Sequence, residues 1–213
     1  MGADLDVLRA VERAPLRTVR FADVEALAPN VWRILDGLVE RGALIRLAHG
    51  IYTAPPGGRD GASWVPGLEA AGLAVAAARH GARAVALMGL GAARHWGAIP
   101  RAISATTVAV DDDSRRPVAV AGGTAYFVGR DINRLDVVVD ETELGPAWVT
   151  NPAQTLFDLL MRPNQGGQPE AAVEGAENLM ARVSADNLAG IIAASGRAND
   201  AVREALRRLR EEP

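Results

Sequence analysis

The chain has 213 residues, 49% of them apolar, and a formal net charge of −3; that allows one large domain or two small ones with a real core. It contains no cysteine, which excludes disulfides and thiolate metal sites. All 23 basic residues are arginine, which excludes a P-loop lysine, a Schiff-base lysine and any nuclease motif that needs lysine.

Residues 3–14 read as a helix with Val7, Leu8 and Val11 on one side, ended by Pro15. Arg17 to Arg20 suit a short strand or an extended lead into a second helix over 21–27, with Phe21, Val24 and Leu27 inward. Pro29 falls where proline is tolerated, in the first turn of a third helix. In that helix Val31, Leu35 and Leu38 are spaced to face a core, and Gly42 supplies the stop. Leu44 and Ile45 begin a strand, His49-Gly50 turns it, and Ile51-Tyr52 return. Three short helices followed by a hairpin predict a winged helix-turn-helix over residues 1–54, a layout that sets one helix into a DNA groove with a hairpin beside it.

Residues 55–63, rich in Pro and Gly, have the composition of a linker. Residues 64–213 then predict a mixed α/β domain, giving an α+β fold overall. Its expected elements are helices over 67–80 and 84–96, a small antiparallel sheet from 104–110, 117–121, 123–129 and 135–140, and a short strand at Trp148-Val149. Asn151-Pro152 opens a further helix through Leu156, Phe157, Leu159 and Leu160. After a loop from Pro163 to Pro169, helices resume over 170–182, 185–194 and 199–211, with Ser184 as a cap.

The third helix leaves Asn30, Trp32, Arg33 and Asp36 outward. Residues near the start of a recognition helix reach base edges. Arg33 can donate two bonds to a guanine and Asn30 can pair with adenine, each worth ~1–3 kcal/mol of discrimination. Arg46 and His49 on the hairpin would touch phosphate or the minor groove. Arg17 and Arg20 precede the second helix, where phosphates pass, and Trp32 either packs on a sugar or covers the domain junction. The bulk charge argues against a nucleic-acid protein, but it is unevenly spread. Residues 1–63 carry eight Arg and eight acids, residues 64–213 carry 15 Arg and 18 acids, and a neutral small domain binds DNA if its arginines gather on one face. The same pattern also suits a winged helix used only for protein contacts.

Other motifs have plainer readings. Gly89-Leu90-Gly91-Ala92-Ala93-Arg94 resembles half of a dinucleotide fingerprint, but Arg94 replaces the third glycine and no strand–turn–helix context is predicted, so close helix packing explains it better. Asp111-Asp112-Asp113 reads as a solvated hairpin loop; it is the sole support for a metal-dependent enzyme in the second domain. His80 and His95 fall on different predicted helices with no third ligand, and no serine has a nucleophile-elbow surround. The residues predict no catalytic centre, metal or cofactor. The N-terminus, with Asp4, Asp6 and Arg9, predicts no signal peptide, and no apolar run predicts a membrane span, so the expected location is cytoplasmic.

The order of three stretches resembles the AbiEi-type antitoxins, the transcriptional-repressor halves of type IV toxin–antitoxin pairs. These are Leu38-Val39-Glu40-Arg41-Gly42-Ala43-Leu44-Ile45-Arg46 with Gly50-Ile51-Tyr52, Ala86 to Gly97, and Val149-Thr150-Asn151-Pro152-Ala153-Gln154-Thr155-Leu156-Phe157-Asp158-Leu159-Leu160. The terminal helices around Asp200 to Arg210 also fit. The resemblance implies that the winged helix binds inverted repeats in double-stranded operator DNA, with Asn30, Arg33, Arg46 and His49 facing it. It implies that the C-terminal domain counters a nucleotidyltransferase-like toxin encoded nearby. The thin basic patch, with Asp36 and Glu40 close by, suits weak monomer binding and cooperative self-association on paired sites.

Overall fold

Alternating apolar positions build the first 54 residues into helices and strands that share one small core. The computed structural model describes residues 2–111 and 116–211; Asp112 and Asp113 of the acidic triplet lie outside the described residues. Helix α1 (Ala3–Arg13) buries Val7 and Val11. A turn at Pro15–Arg17 leads to strand β1 (Thr18–Arg20), and helix α2 (Phe21–Val24) follows at once. Leu27 does not turn inward as its spacing predicts: residues 25–27 tighten into a 3-10 turn, and Leu27 stays 46% exposed. A 3-10 turn advances three residues per turn, so the i+3 position rotates away from the α-helical stripe. Helix α3 (Val31–Glu40) begins two residues after Pro29 and buries Val31, Leu35 and Leu38. Strands β2 (Ile45–Ala48) and β3 (Ile51–Thr53) form a hairpin whose turn needs the positive φ of Gly50. With β1 they make an antiparallel sheet of order β1-β3-β2.

The second half departs further from the expected pattern. Residues 84–96 are not one helix but strand β4 (Val85–Met88) running into helix α5 (Gly89–His95). All four residues of β4 are buried, and a short continuous apolar run cannot be told from a buried helix by periodicity. Adding this central strand changes the sheet. Instead of a small antiparallel sheet there is a six-stranded mixed one, with β5 (Ala105–Val110), β6 (Val118–Val120), β7 (Gly123–Gly129), β8 (Val137–Thr142) and β9 (Gly145–Thr150) in the order β6-β7-β5-β4-β9-β8. The pairs β4/β9 and β5/β7 are parallel. The strand-to-helix junction absent from the sequence reading therefore does precede Gly89. The glycines serve packing there: a Cβ at Gly91 would lie 2.6 Å from Thr106 Oγ1 and 2.8 Å from the Thr107 carbonyl.

Helices α6 (Pro152–Met161), α7 (Pro169–Met180), α8 (Ala185–Ser195) and α9 (Asp200–Glu211) complete the described chain. Asn151 and Ser184 accept hydrogen bonds from the Gln154 and Asn187 backbone N–H groups, so both act as caps. Among the described residues no helix is long and apolar enough to cross a membrane.

One helix joins the two sheets. Helix α4 (Leu68–His80) is buried continuously from Ala70 to Ala77, and its side chains cluster on one side with Val108, Val110 and Phe127 and on the other with Leu16, Ile45, Leu47 and Ile51. Alternation in the small sheet explains this. Ile45, Leu47 and Ile51 point to α4, while Val19 and Tyr52 point to the α1–α3 core. The segment 55–63 is also seated: Gly61 N–H donates to the Gly42 carbonyl at 2.8 Å.

Small residues let the layers approach. A Cβ at Gly72 would sit 2.7 Å from Thr106 Cγ2 and 3.0 Å from Ala125 Cβ, whereas at Gly190 in α8 it would meet nothing within 4 Å. Helix propensity favours alanine over glycine by about 1 kcal/mol at both positions. Gly190→Ala is therefore expected to raise the urea midpoint, and Gly72→Ala to lower it, because overpacking costs about 1–3 kcal/mol. Equal shifts of the same sign would refute this account of the close approach.

Candidate nucleic-acid interface

The buried stripe of α3 fixes which residues face outward. Asn30 immediately precedes the helix with φ −127° and ψ 44°, and its side chain makes no capping bond. Its carbonyl, not its amide group, accepts from Arg33 N at 3.0 Å, so the exposed side chain stays available. Trp32 is 51% exposed, and the Arg33 guanidinium lies 4.9 Å from its ring centroid. Asn30, Trp32 and Arg33 thus share the N-terminal end of one exposed helix face.

The hairpin adds Arg46 to this face. Arg46 pairs with Tyr52 across β2 and β3, and its guanidinium stands 5.4 Å from the Tyr52 ring. It forms a charge-assisted hydrogen bond with Asp36 of α3, both side chains remaining half-exposed. Asp36 therefore locks the hairpin to the helix and neutralises the cation expected to meet phosphate. Tyr52, which the sequence reading passed over, is the platform; the alternation Ile51/Tyr52 carries that signal.

His49 is exposed at the hairpin turn. The neighbouring Gly50 carbonyl accepts from Phe21 N at 2.8 Å, which brings the turn beside the start of α2 and beside Arg20. Arg20 is occupied: its Nη2 donates to Asp23 Oδ1 at 2.7 Å while its backbone N–H donates to Asp23 Oδ2 at 2.8 Å. That hydrogen bonding holds the Asp23 carboxyl below the usual carboxylate range.

Arg17 does different work. Its Nε donates to the Ala54 carbonyl at 3.0 Å and its Nη2 to the Pro55 carbonyl at 2.8 Å. Leu16 and Arg17 both have positive φ, 49° and 52°, with Leu16 buried against α4. Arg17 fastens the strand ends of the small sheet to the segment that follows. Of the seven sequence-predicted residues, the structure gathers Asn30, Trp32, Arg33 and Arg46 around α3, sets Arg20 and His49 at the hairpin turn, and commits Arg17 to two carbonyls.

A second polar group lies in the other half and was not singled out in the sequence. Asp158, in the apolar stretch of α6, has a side chain only 2% exposed. Its Oδ1 accepts from Arg130 Nη1 at 3.2 Å and Gln154 Nε2 at 3.1 Å. Its Oδ2 is buried without a partner among the described residues. Burial pushes this carboxyl up to about 6 despite Arg130 and Gln154. The signal was a lone acid inside Leu156-Phe157-Asp158-Leu159-Leu160. His80 and His95 end different helices, His95 Nε2 lying 2.7 Å from Asp140 Oδ2, and no group of metal-ligating side chains occurs among the described residues.

No protein-family model matches the chain, and no curated protein matches it. Among solved structures it is similar to the crystal structure of the RV2827C protein from Mycobacterium tuberculosis, with a TM-score of 0.61 and 18% identity over 98% of this chain and 76% of that one. At that identity the likeness is one of fold.

The Asp158 environment predicts a pH signature. A carboxyl raised to about 6 when folded binds its proton more tightly in the native state than in the unfolded chain, where it titrates near 4. Its contribution is thus fully present below about pH 4 and is lost as pH rises through about 6. Asp158→Asn, whose amide stands in for the protonated carboxyl and keeps an oxygen for Arg130, should lack that fall. The denaturant-derived stability of the unsubstituted protein relative to this variant should drop by about 2–3 kcal/mol between pH 4 and 7. A pH-independent difference would show that Asp158 titrates normally.

Proposed function

We propose that this protein is a DNA-binding autorepressor and the antitoxin of a type IV toxin–antitoxin pair. In this reading residues 1–54 are a winged helix-turn-helix bound to inverted-repeat operator DNA, and residues 64–213 counteract a nucleotidyltransferase-like toxin. Neither role calls for catalysis by this chain, and both belong in the cytoplasm. The observation that carries the DNA half is α3: one face buries Val31, Leu35 and Leu38, and the opposite face offers Asn30, Trp32 and Arg33 at its N-terminal end. The element order, three helices interleaved with a three-stranded sheet whose hairpin is tied to α3 through Arg46 and Asp36, supports the same reading. The antitoxin half rests on the family resemblance of the sequence.

A second reading, a winged-helix module that docks on a protein, is favoured by one observation. Asp36 and Asp23 occupy Arg46 and Arg20, beside a half-exposed tryptophan. Pairing of this kind lowers the positive potential that DNA requires, and aromatic residues with arginine are common anchors of protein interfaces.

A mobility-shift titration with DNA from immediately upstream of the gene separates the two. About four phosphate contacts predict a log–log salt slope of about −4, at roughly −0.9 per contact. Arg33→Ala should erase the preference over scrambled DNA, whereas Asp36→Asn, which releases Arg46, should tighten binding to all sequences alike. Absence of any shift at low salt, with capture of the neighbouring gene product surviving Arg33→Ala, would transfer the assignment to the protein-docking module. Co-expression with that product tests the antitoxin half: growth arrest unrelieved by this protein would refute it.

A further inference from the structure

A sizeable concavity lies far in sequence from α3. It is a cleft of about 820 Å³ between the segment from Gly129 to Asp136 and one face of α8, with Gln154 and Phe157 of α6 contributing to the lining. Drug-sized ligands occupy cavities of roughly 300–1,000 Å³ lined by apolar surface with a few placed polar groups. Here Leu135, Phe157 and Ile191 supply the apolar part, Arg130 and Arg134 line it from the Gly129–Asp136 segment, and Arg197 lines it from the end of α8.

The cleft holds charges of both signs that do not pair with one another. On several exposed helix faces arginines are taken by carboxylates, as in Arg101 with Glu174, Arg203 with Asp200 and Arg207 with Glu204. Arg134 and Arg197 share the cleft with Asp131, Asp136 and Asp186, yet among the described residues no ion pair joins any of these five. Asp131 uses a carboxylate oxygen on the Asn133 backbone N–H at 3.0 Å. Arg130 is held in place from below, its Nη1 on the buried Asp158, which also takes the Gln154 amide; the Gln154 Oε1 in turn accepts from Asp136 N at 3.4 Å. The floor is braced while the guanidinium and carboxylate groups at the rim are unspent.

A ligand matched to both charges carries an anion and N–H donors on one flat, partly apolar body. Planar guanidinium groups take phosphate oxygens bidentately, and Asp and Asn side chains take the exocyclic amine and ring N–H groups of a purine. We propose that this cleft is a binding site for a nucleoside phosphate, independent of the DNA-facing helix. The phosphate lies at Arg134 and Arg197, and the base lies against Leu135 and Ile191 with its N–H groups toward Asp136 or Asp186.

Calorimetric titration of the full chain with adenosine and guanosine 5′-monophosphates tests this, beside the free nucleosides and inorganic phosphate. Saturable binding of a monophosphate is expected, with nucleoside and inorganic phosphate each weaker by roughly tenfold or more, as befits the loss of a charge-assisted contact. Arg134→Ala and Arg197→Ala should each weaken binding by roughly tenfold. Gly190→Leu fills the cleft from α8, where an added Cβ meets no atom within 4 Å. It should abolish binding without lowering the melting temperature and without altering a mobility shift on DNA. The proposal is overturned by no saturable binding, by binding that survives Gly190→Leu, or by inorganic phosphate binding as tightly as the nucleotide.

Discussion

Burial of α4 on both sides is the constraint on which the rest of the molecule depends. A helix exposed to water on no side must be apolar all round, and one sandwiched between two sheets must also be thin. The middle of α4 meets both conditions with Ala70, Ala71, Gly72, Ala74, Ala76 and Ala77. Thr106 and Ala125 approach it from one sheet, and Ile45, Leu47 and Ile51 pack in the same cluster from the other. Larger side chains would separate the layers and leave voids that dispersion forces cannot span. The small sheet is held in place by this contact, and with it α3, so the exposed face of α3 is oriented by a helix whose middle, Ala70–Ala77, is wholly buried.

Much of the N-terminal half was legible because its elements are amphipathic. The spacing of Val31, Leu35 and Leu38 is a helix with one buried face, and Ile45-Arg46-Leu47 is a strand with two different faces. The failures fall where amphipathicity vanishes. Val85–Met88 is buried on every side and looks the same as a helix in sequence, and missing it concealed the parallel pairs of the large sheet. The candidate site was legible residue by residue but not in its pairings. Sequence marks Arg20, Arg33 and Arg46 as cations; it does not reveal that Asp23 and Asp36 claim two of them, since those contacts depend on side-chain reach across turns and between elements.

Those pairings divide the arginines by task. Arg17 is structural, bound to the Ala54 and Pro55 carbonyls. Arg20 and Arg46 carry their own counter-ions, and exposed pairs of this kind contribute at most about 1 kcal/mol to stability. Arg33, stacked on Trp32, has an aromatic neighbour in place of a carboxylate. The surface around α3 therefore carries one arginine backed by an aromatic ring beside two that are backed by carboxylates.

The left-handed backbone at Leu16 and Arg17 lies at the junction between the two halves. An L-residue in that conformation costs roughly 1–2 kcal/mol, and two in succession persist only because Leu16 is buried against α4 and Arg17 holds two carbonyls across the junction. The unit that can be exchanged between proteins is for this reason not the N-terminal 54 residues. A transplanted N-terminal half would arrive with three apolar side chains, Ile45, Leu47 and Ile51, that need a thin helix to cover them, and with a strained turn lacking the Pro55 carbonyl. Recombination of the N-terminal half must carry α4 along, whereas point substitution at the solvent-facing positions of α3 leaves the chassis as it is.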